Sequence, residues 1–158
     1  MLRLSKLTDY ALLVTDYLAK RPDTLNSMSD ISKQTHVPRA TVRKILNRLL
    51  DAGIVRSVRG IHGGYQLAST ADSISIARVI DAMEGPLAMT ECNQPGGLCS
   101  MECHCQLRGN WIQINQWVNS LLKSMTLADL ARPMSFEVFK TKISAVDGKN
   151  LGFYRDIG

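Results

Sequence analysis

The sequence predicts a mainly α-helical fold with one small β-hairpin, and three observations carry that expectation. Apolar residues recur at three- and four-residue steps over most of the first 85 positions. One short alternating segment, Ile54 to Arg59, is followed by a glycine-rich turn. A later segment, Leu107 to Met125, keeps helical periodicity for about five turns. The expected architecture is a winged helix-turn-helix plus a long dimerisation helix. The 158 residues, 45% of them apolar, suffice for one packed core and an extension.

Leu7 to Lys20 reads as the first helix, with Leu7, Tyr10, Ala11, Val14, Tyr17 and Leu18 on one face. Pro22 ends it, because proline disfavours helical geometry in the residue before it. Asp9 lies in the first turn, where a carboxylate meets the positive end of the helix dipole. A short helix from about Ser29 to Thr35, capped by Ser27 or Ser29, and the turn His36-Val37-Pro38 lead to a helix from Arg39 to Ala52. Gly53 stands where a left-handed cap belongs. Val42, Ile45, Leu46, Leu49 and Leu50 form that helix's buried stripe. Arg39, Thr41, Arg43, Lys44, Asn47 and Arg48 lie largely off it. Such a pair of helices is a helix-turn-helix, whose second helix meets base edges in the major groove.

The segment Ile54–Arg59 alternates apolar and polar residues as a half-buried strand does. Gly60-Ile61-His62-Gly63-Gly64 reads as a turn with positive backbone angles, and Tyr65-Gln66-Leu67 as the returning strand. This hairpin makes a wing, with Arg59 at the base of its tip and His62 within it, placed to reach a phosphate or the adjacent minor groove. Ser73 to Met83 reads as a fourth helix, stopped by Gly85-Pro86. In the long helix, Trp111, Ile114, Val118, Leu121 and Met125 make a coiled-coil-like seam of about two heptads. It suits a homodimer on a palindromic duplex; packing on the chain's own domain is the alternative. Thr126 caps a short helix over Leu127–Leu130. The chain thus divides into a DNA-binding part (1–85), a cysteine-rich loop (86–106), a dimerisation helix with a short following helix (107–132) and a tail (133–158). In the tail the periodicity fades and no role is assigned.

The charge is unevenly placed. Residues 1–68 hold eleven Lys/Arg against five Asp/Glu, whereas residues 69–158 hold eight against nine. The positive surplus therefore sits in the first 68 residues and favours a polyanion, DNA or RNA, with a solvated basic surface as the alternative. The helix-turn-helix and wing point to double-stranded DNA. No apolar run approaches the roughly 18 residues that span a bilayer, and no signal-peptide pattern opens the chain, so no membrane partner and a cytoplasmic location are expected. His36, His62 and His104 are scattered over a turn, a wing tip and a cysteine loop, which argues against an enzyme.

All four cysteines fall between positions 92 and 105, spaced Cys92-x6-Cys99-x3-Cys103-x-Cys105. Structural zinc sites favour two close-spaced cysteine pairs, and catalytic dithiols favour Cys-x-x-Cys at a helix start. The spacing fits an iron–sulfur cluster better than either. Structural zinc and a redox-active thiol set stay as alternatives.

The opening LTDYAL at 7–12, the VRG-x-x-GGY wing at 58–65 and three cysteines ahead of a Trp-containing helix resemble the IscR/NsrR family. These are bacterial winged-helix repressors and activators that carry an iron–sulfur cluster. The resemblance covers roughly residues 1–132. It implies that Cys92, Cys99 and Cys105 ligate a [2Fe-2S] or [4Fe-4S] cluster. It implies Asp9 of the partner subunit as the fourth ligand, with Cys103 and His104 as alternatives. Arg108 stands where some members have a histidine. The resemblance further implies that the state of the cluster alters operator affinity. Genes of iron–sulfur assembly are the expected targets, and a nitric-oxide response is the rival.

Overall fold

The computed structural model describes residues 4–94, 96, 99–100, 104–133 and 135–150. Helix α1 spans Lys6–Ala19, and the Ser5 hydroxyl caps it by accepting from the Thr8 N–H at 3.3 Å. Its buried face is Thr8, Ala11, Val14, Thr15 and Leu18, a face rotated from the predicted stripe. Leu7, Tyr10 and Tyr17 are only half-buried at its margin. Two threonines enter the interior because their hydroxyls find local partners: Thr15 Oγ1 donates to the Ala11 carbonyl at 3.0 Å.

Helix α2 (Met28–Thr35) starts at Ser27, whose hydroxyl accepts from the Asp30 N–H at 3.1 Å. It ends at His36, which takes a left-handed φ of 56°. Ser32 Oγ then donates to the Val37 carbonyl at 2.7 Å, which fixes the turn into α3 (Arg39–Asp51). Gly53, at φ 63°, closes α3 as its position predicts. Strands β1 (Val55–Val58) and β2 (Gly64–Leu67) pair antiparallel in the register Val55↔Leu67 to Val58↔Gly64. The predicted alternation fails here. Ile54 and Val55 are both buried and Arg56 to Val58 are all exposed, because only the root of the hairpin touches the core.

Asn26 adds a third rung that the periodicity does not reveal. Its N–H donates to the Tyr65 carbonyl at 2.9 Å, and the Tyr65 N–H donates back at 2.8 Å. This isolated bridge ties the residue before the cap of α2 to the edge of the two-stranded hairpin. Gly64 is required there because a Cβ would lie 2.8 Å from the Asn26 carbonyl oxygen. Of the tip glycines only Gly60 has a positive φ (120°). Gly63 and Gly64 serve close backbone approach instead, which corrects the expected run of positive angles.

Helix α4 spans Ile76–Glu84 and begins later than predicted, because Ser75 caps it and residues 71–73 form a separate 3₁₀ turn. Then come α5 (Arg108–Ser124), α6 (Leu127–Leu130) and α7 (Phe136–Asn150). Thr126 and Asp129 make a reciprocal capping box for α6, as expected of Thr126. Helix α7 lies in the stretch whose periodicity had faded; it is held by a 2.7 Å ion pair between Lys142 and Asp129.

The main core gathers Val14, Leu18, Ile31, Val42, Ile45, Leu46, Leu49 and Ile54 from α1, α2, α3 and the hairpin root, with Val79 from α4. Leu127 of α6 is fully buried in the same core. It is carried there because Ile76 and Leu127 donate backbone bonds to Met125 and Ile74 at 2.8 and 3.0 Å. The DNA-binding part thus draws one core residue from beyond the long helix.

Candidate nucleic-acid interface and cysteine loop

The outer face of α3 carries Arg39, Arg43, Lys44 and Asn47 exposed, with Thr41 half-buried beside them. The helix begins at Pro38 without a side-chain cap, and its first turn contains no acidic residue. Its free N–H groups and positive dipole end are therefore available to an anion. Arg48 has a different place. It is half-buried, and its Nη1 donates to the Met83 carbonyl in the last turn of α4. That bond anchors α3 on the body and commits the guanidinium away from the exposed basic face.

The hairpin projects Arg56, Arg59 and His62, all exposed. Its tip is a closed turn in which the Gly63 N–H donates to the Gly60 carbonyl at 3.0 Å. The Asn26 bridge ties this hairpin to the residue before the cap of α2, so wing and helix-turn-helix are mutually braced.

The segment after Gly85 leaves the body at a clasp. Glu84 accepts from the Ser5 N–H at 2.7 Å and from the Thr8 hydroxyl. The Thr8 hydroxyl bond, followed by the Ser5 N–H, holds the Glu84 carboxyl below its ordinary range. Asp9, exposed in the first turn of α1, is the next residue along. Further on, Asn115 of α5 is buried. Its amide accepts from the Met89 N–H at 3.0 Å and donates to the Leu87 carbonyl at 3.3 Å, which Asn119 also reaches at 3.2 Å. Sequence reasoning missed these two asparagines; their i, i+4 spacing, which puts both on one face of the helix, was the available signal.

Cys92 lies in a single 3₁₀ turn, Glu91–Asn93, with its sulfur 3.1 Å from Thr90 Oγ1. Asn93 Nδ2 donates to the same Thr90 oxygen at 2.6 Å. Cys92, Cys99 and Cys105 are half-buried free thiols, and His104 is exposed. Cys103 lies outside the described residues. Among the described residues of the single chain, no three His, Cys, Asp or Glu side chains converge as a metal-ion site. Asp9 is thus not gathered with the thiols within one chain.

On α5 the predicted seam divides. Met125 is buried, and Leu121 packs with it against Ile76 and Ile80 of the same chain. Ile114 and Val118 are half-buried, while Trp111 and Trp117 are exposed. No helix among the described residues is long and apolar enough to cross a membrane.

A basic helix with a free N-terminus, braced to a cationic hairpin, defines a winged-helix DNA-binding protein. The chain belongs to the Rrf2 family, described as iron-dependent transcriptional regulators, whose family model matches residues 4–133. It is a DNA-binding transcriptional regulator and not an enzyme. It is similar to CymR (YrzC), the global cysteine regulator of B. subtilis, at 30% identity and a TM-score of 0.66. That match covers 83% of this chain and 97% of the other. The oxidized form of Staphylococcus aureus CymR matches at 27% identity and a TM-score of 0.64, over 85% and 99%. T. potens IscR shares the fold at a TM-score of 0.64 and 23% identity, over 87% and 96%.

Proposed function

We propose that the chain acts as a homodimer on a palindromic operator, and that an iron–sulfur cluster held through Cys92, Cys99 and Cys105 controls its affinity. Asp9 of the partner subunit would complete the ligand set. The observation that carries this reading is the pairing of three free, half-buried thiols with a loop whose first residues are tied on one side to α1, through Glu84, and on the other to α5, through Met89 and Asn115. The donor chemistry fits: thiolates are the usual ligands of such clusters, and a carboxylate oxygen is a more labile fourth. When bound, the cluster supplies a group whose ligation changes on oxidation or loss.

The chain's own residues explain how a change in the loop reaches DNA. The loop starts two residues after Glu84, whose carboxylate holds the N-terminus of α1. Met83, just before it, accepts from Arg48 of α3. Movement at Gly85 therefore bears on the helix that reads the groove. A coupling of roughly 1–3 kcal/mol suffices for regulation. Arg39, Thr41, Arg43 and Lys44 would contact the major groove or its phosphates, and Arg59 and His62 the flanking backbone. Arg48 acts as a positioning residue. Iron–sulfur assembly genes are the proposed targets.

A second reading is a thiol switch, favoured by the similarity to the CymR proteins and by the sulfur of Cys92 lying against a hydroxyl. The test is a visible spectrum of protein purified without oxygen, with iron, sulfide and zinc analysis, on wild type and on Cys92→Ser, Cys99→Ser and Cys105→Ser. Iron and acid-labile sulfide that fall in each variant support the cluster. One zinc per chain would leave a structural metal. Failure to reconstitute any metal would leave the thiol switch. Where iron is present, exposure to nitric oxide or air identifies the signal.

A further inference from the structure

Ile61 is 99% exposed at the tip of the hairpin, the most exposed of the large apolar side chains among the described residues. The tip is not a loose loop. The Gly63 N–H closes the turn onto the Gly60 carbonyl at 3.0 Å, and a Cβ on Gly63 would lie 2.2 Å from the Val58 carbonyl oxygen. Ile61 is thus held away from the body by a turn that only glycine at 63 permits. Val58, on the same hairpin, is 48% exposed. Around these apolar groups stand Arg56, Arg59 and His62, with no acidic residue between Asp51 and Asp72. The cations commit the surface to a polyanion, but an isoleucine gains nothing from a phosphate. Its counterpart on a duplex is the minor groove, with sugar C–H walls and an A·T floor that lacks the guanine amino group. Apolar side chains entering there also spread flexible pyrimidine–purine steps.

We propose that Ile61 is the apolar reader of the wing: it enters the minor groove beside the α3 half-site and confers a preference for A·T pairs there. This rests on the reading of the hairpin as a DNA-contacting wing. Arg59 and His62 supply affinity to the backbone, and Ile61 supplies discrimination at base pairs that α3 does not touch.

The experiment uses the full-length protein and a duplex selected by wild type from a random pool. Flanking A·T pairs are then replaced singly by 2,6-diaminopurine·T, which adds an amino group to the minor groove and leaves the major-groove acceptor pattern in place. In parallel, thymine is replaced by uracil, which removes the major-groove methyl. The expected result is about a tenfold loss of wild-type affinity on the diaminopurine duplex and little change with uracil. Ile61→Ala should bind the parent duplex about tenfold more weakly, lose the diaminopurine response and keep the wild-type melting temperature, since so exposed a side chain has no packing to lose. Equal binding by Ile61→Ala and wild type, or a response to uracil alone, overturns the proposal while the wing reading survives. If Arg59→Ala also binds every duplex as wild type does, the wing reading falls with it.

Discussion

The carboxylate of Glu84, the last residue of α4, accepts the hydroxyl of Thr8, a residue 76 positions earlier in the first turn of α1. The same carboxylate oxygen accepts the Ser5 N–H at 2.7 Å. One side chain thereby caps α1 from outside and fixes the point at which the cysteine loop departs.

Because these bonds favour the ionised form, Glu84 titrates below its ordinary value of 4.5. Its contribution is therefore fully present above pH 4.5 and is lost as the pH falls through the depressed value. Glu84→Ala should cost roughly 0.5–1 kcal/mol at pH 7, a figure reduced from buried charged hydrogen bonds because the carboxylate is exposed. Urea denaturation of wild type and variant at pH 7 and at pH 3 should show the difference shrinking at the acidic end.

Arg43 and Arg48 lie five residues apart on α3 and should respond oppositely to alanine. Arg43→Ala should leave thermal stability within about 0.5 kcal/mol and lower the salt slope of DNA binding by about one. Arg48→Ala removes the donor from the Met83 carbonyl and should cost about 1–2 kcal/mol of stability with little change in salt slope. Calorimetry and binding titrations across salt concentration separate the two roles.

Gly64→Ala should break the rung between hairpin and α2, since the new methyl would meet Asn26 backbone atoms at 2.8–2.9 Å. A loss of about 1–3 kcal/mol is expected, because neither backbone can withdraw without breaking the paired bonds. Amide exchange at Tyr65 should quicken along with the fall in melting temperature.

Trp117 is 46% exposed on α5 and has no place in either core cluster. If this face joins two copies, Trp117→Glu should raise the dimer dissociation constant by about 30-fold or more, with helical content unchanged. Sedimentation against concentration reads this directly. A wild-type chain that stays monomeric would remove the dimer from the proposal.

The sequence by itself determined the helix-turn-helix, the wing and the basic face, because helix periodicity, capping serines, Gly53 and charge are local properties. It also located the four thiols in one loop, since their spacing is visible in the chain, and left an iron–sulfur cluster, zinc and a thiol switch as the chemistries they could serve. Only the tertiary structure decided that Arg48 turns inward to Met83, that Asn26 stitches the wing to α2 and that Leu127 returns to the first core. It likewise revealed α7, whose ion pair joins Lys142 to Asp129 across the α6–α7 turn. These placements depend on partners far apart in the chain, and no window of neighbouring residues carries the geometry of a contact that closes only when the core packs.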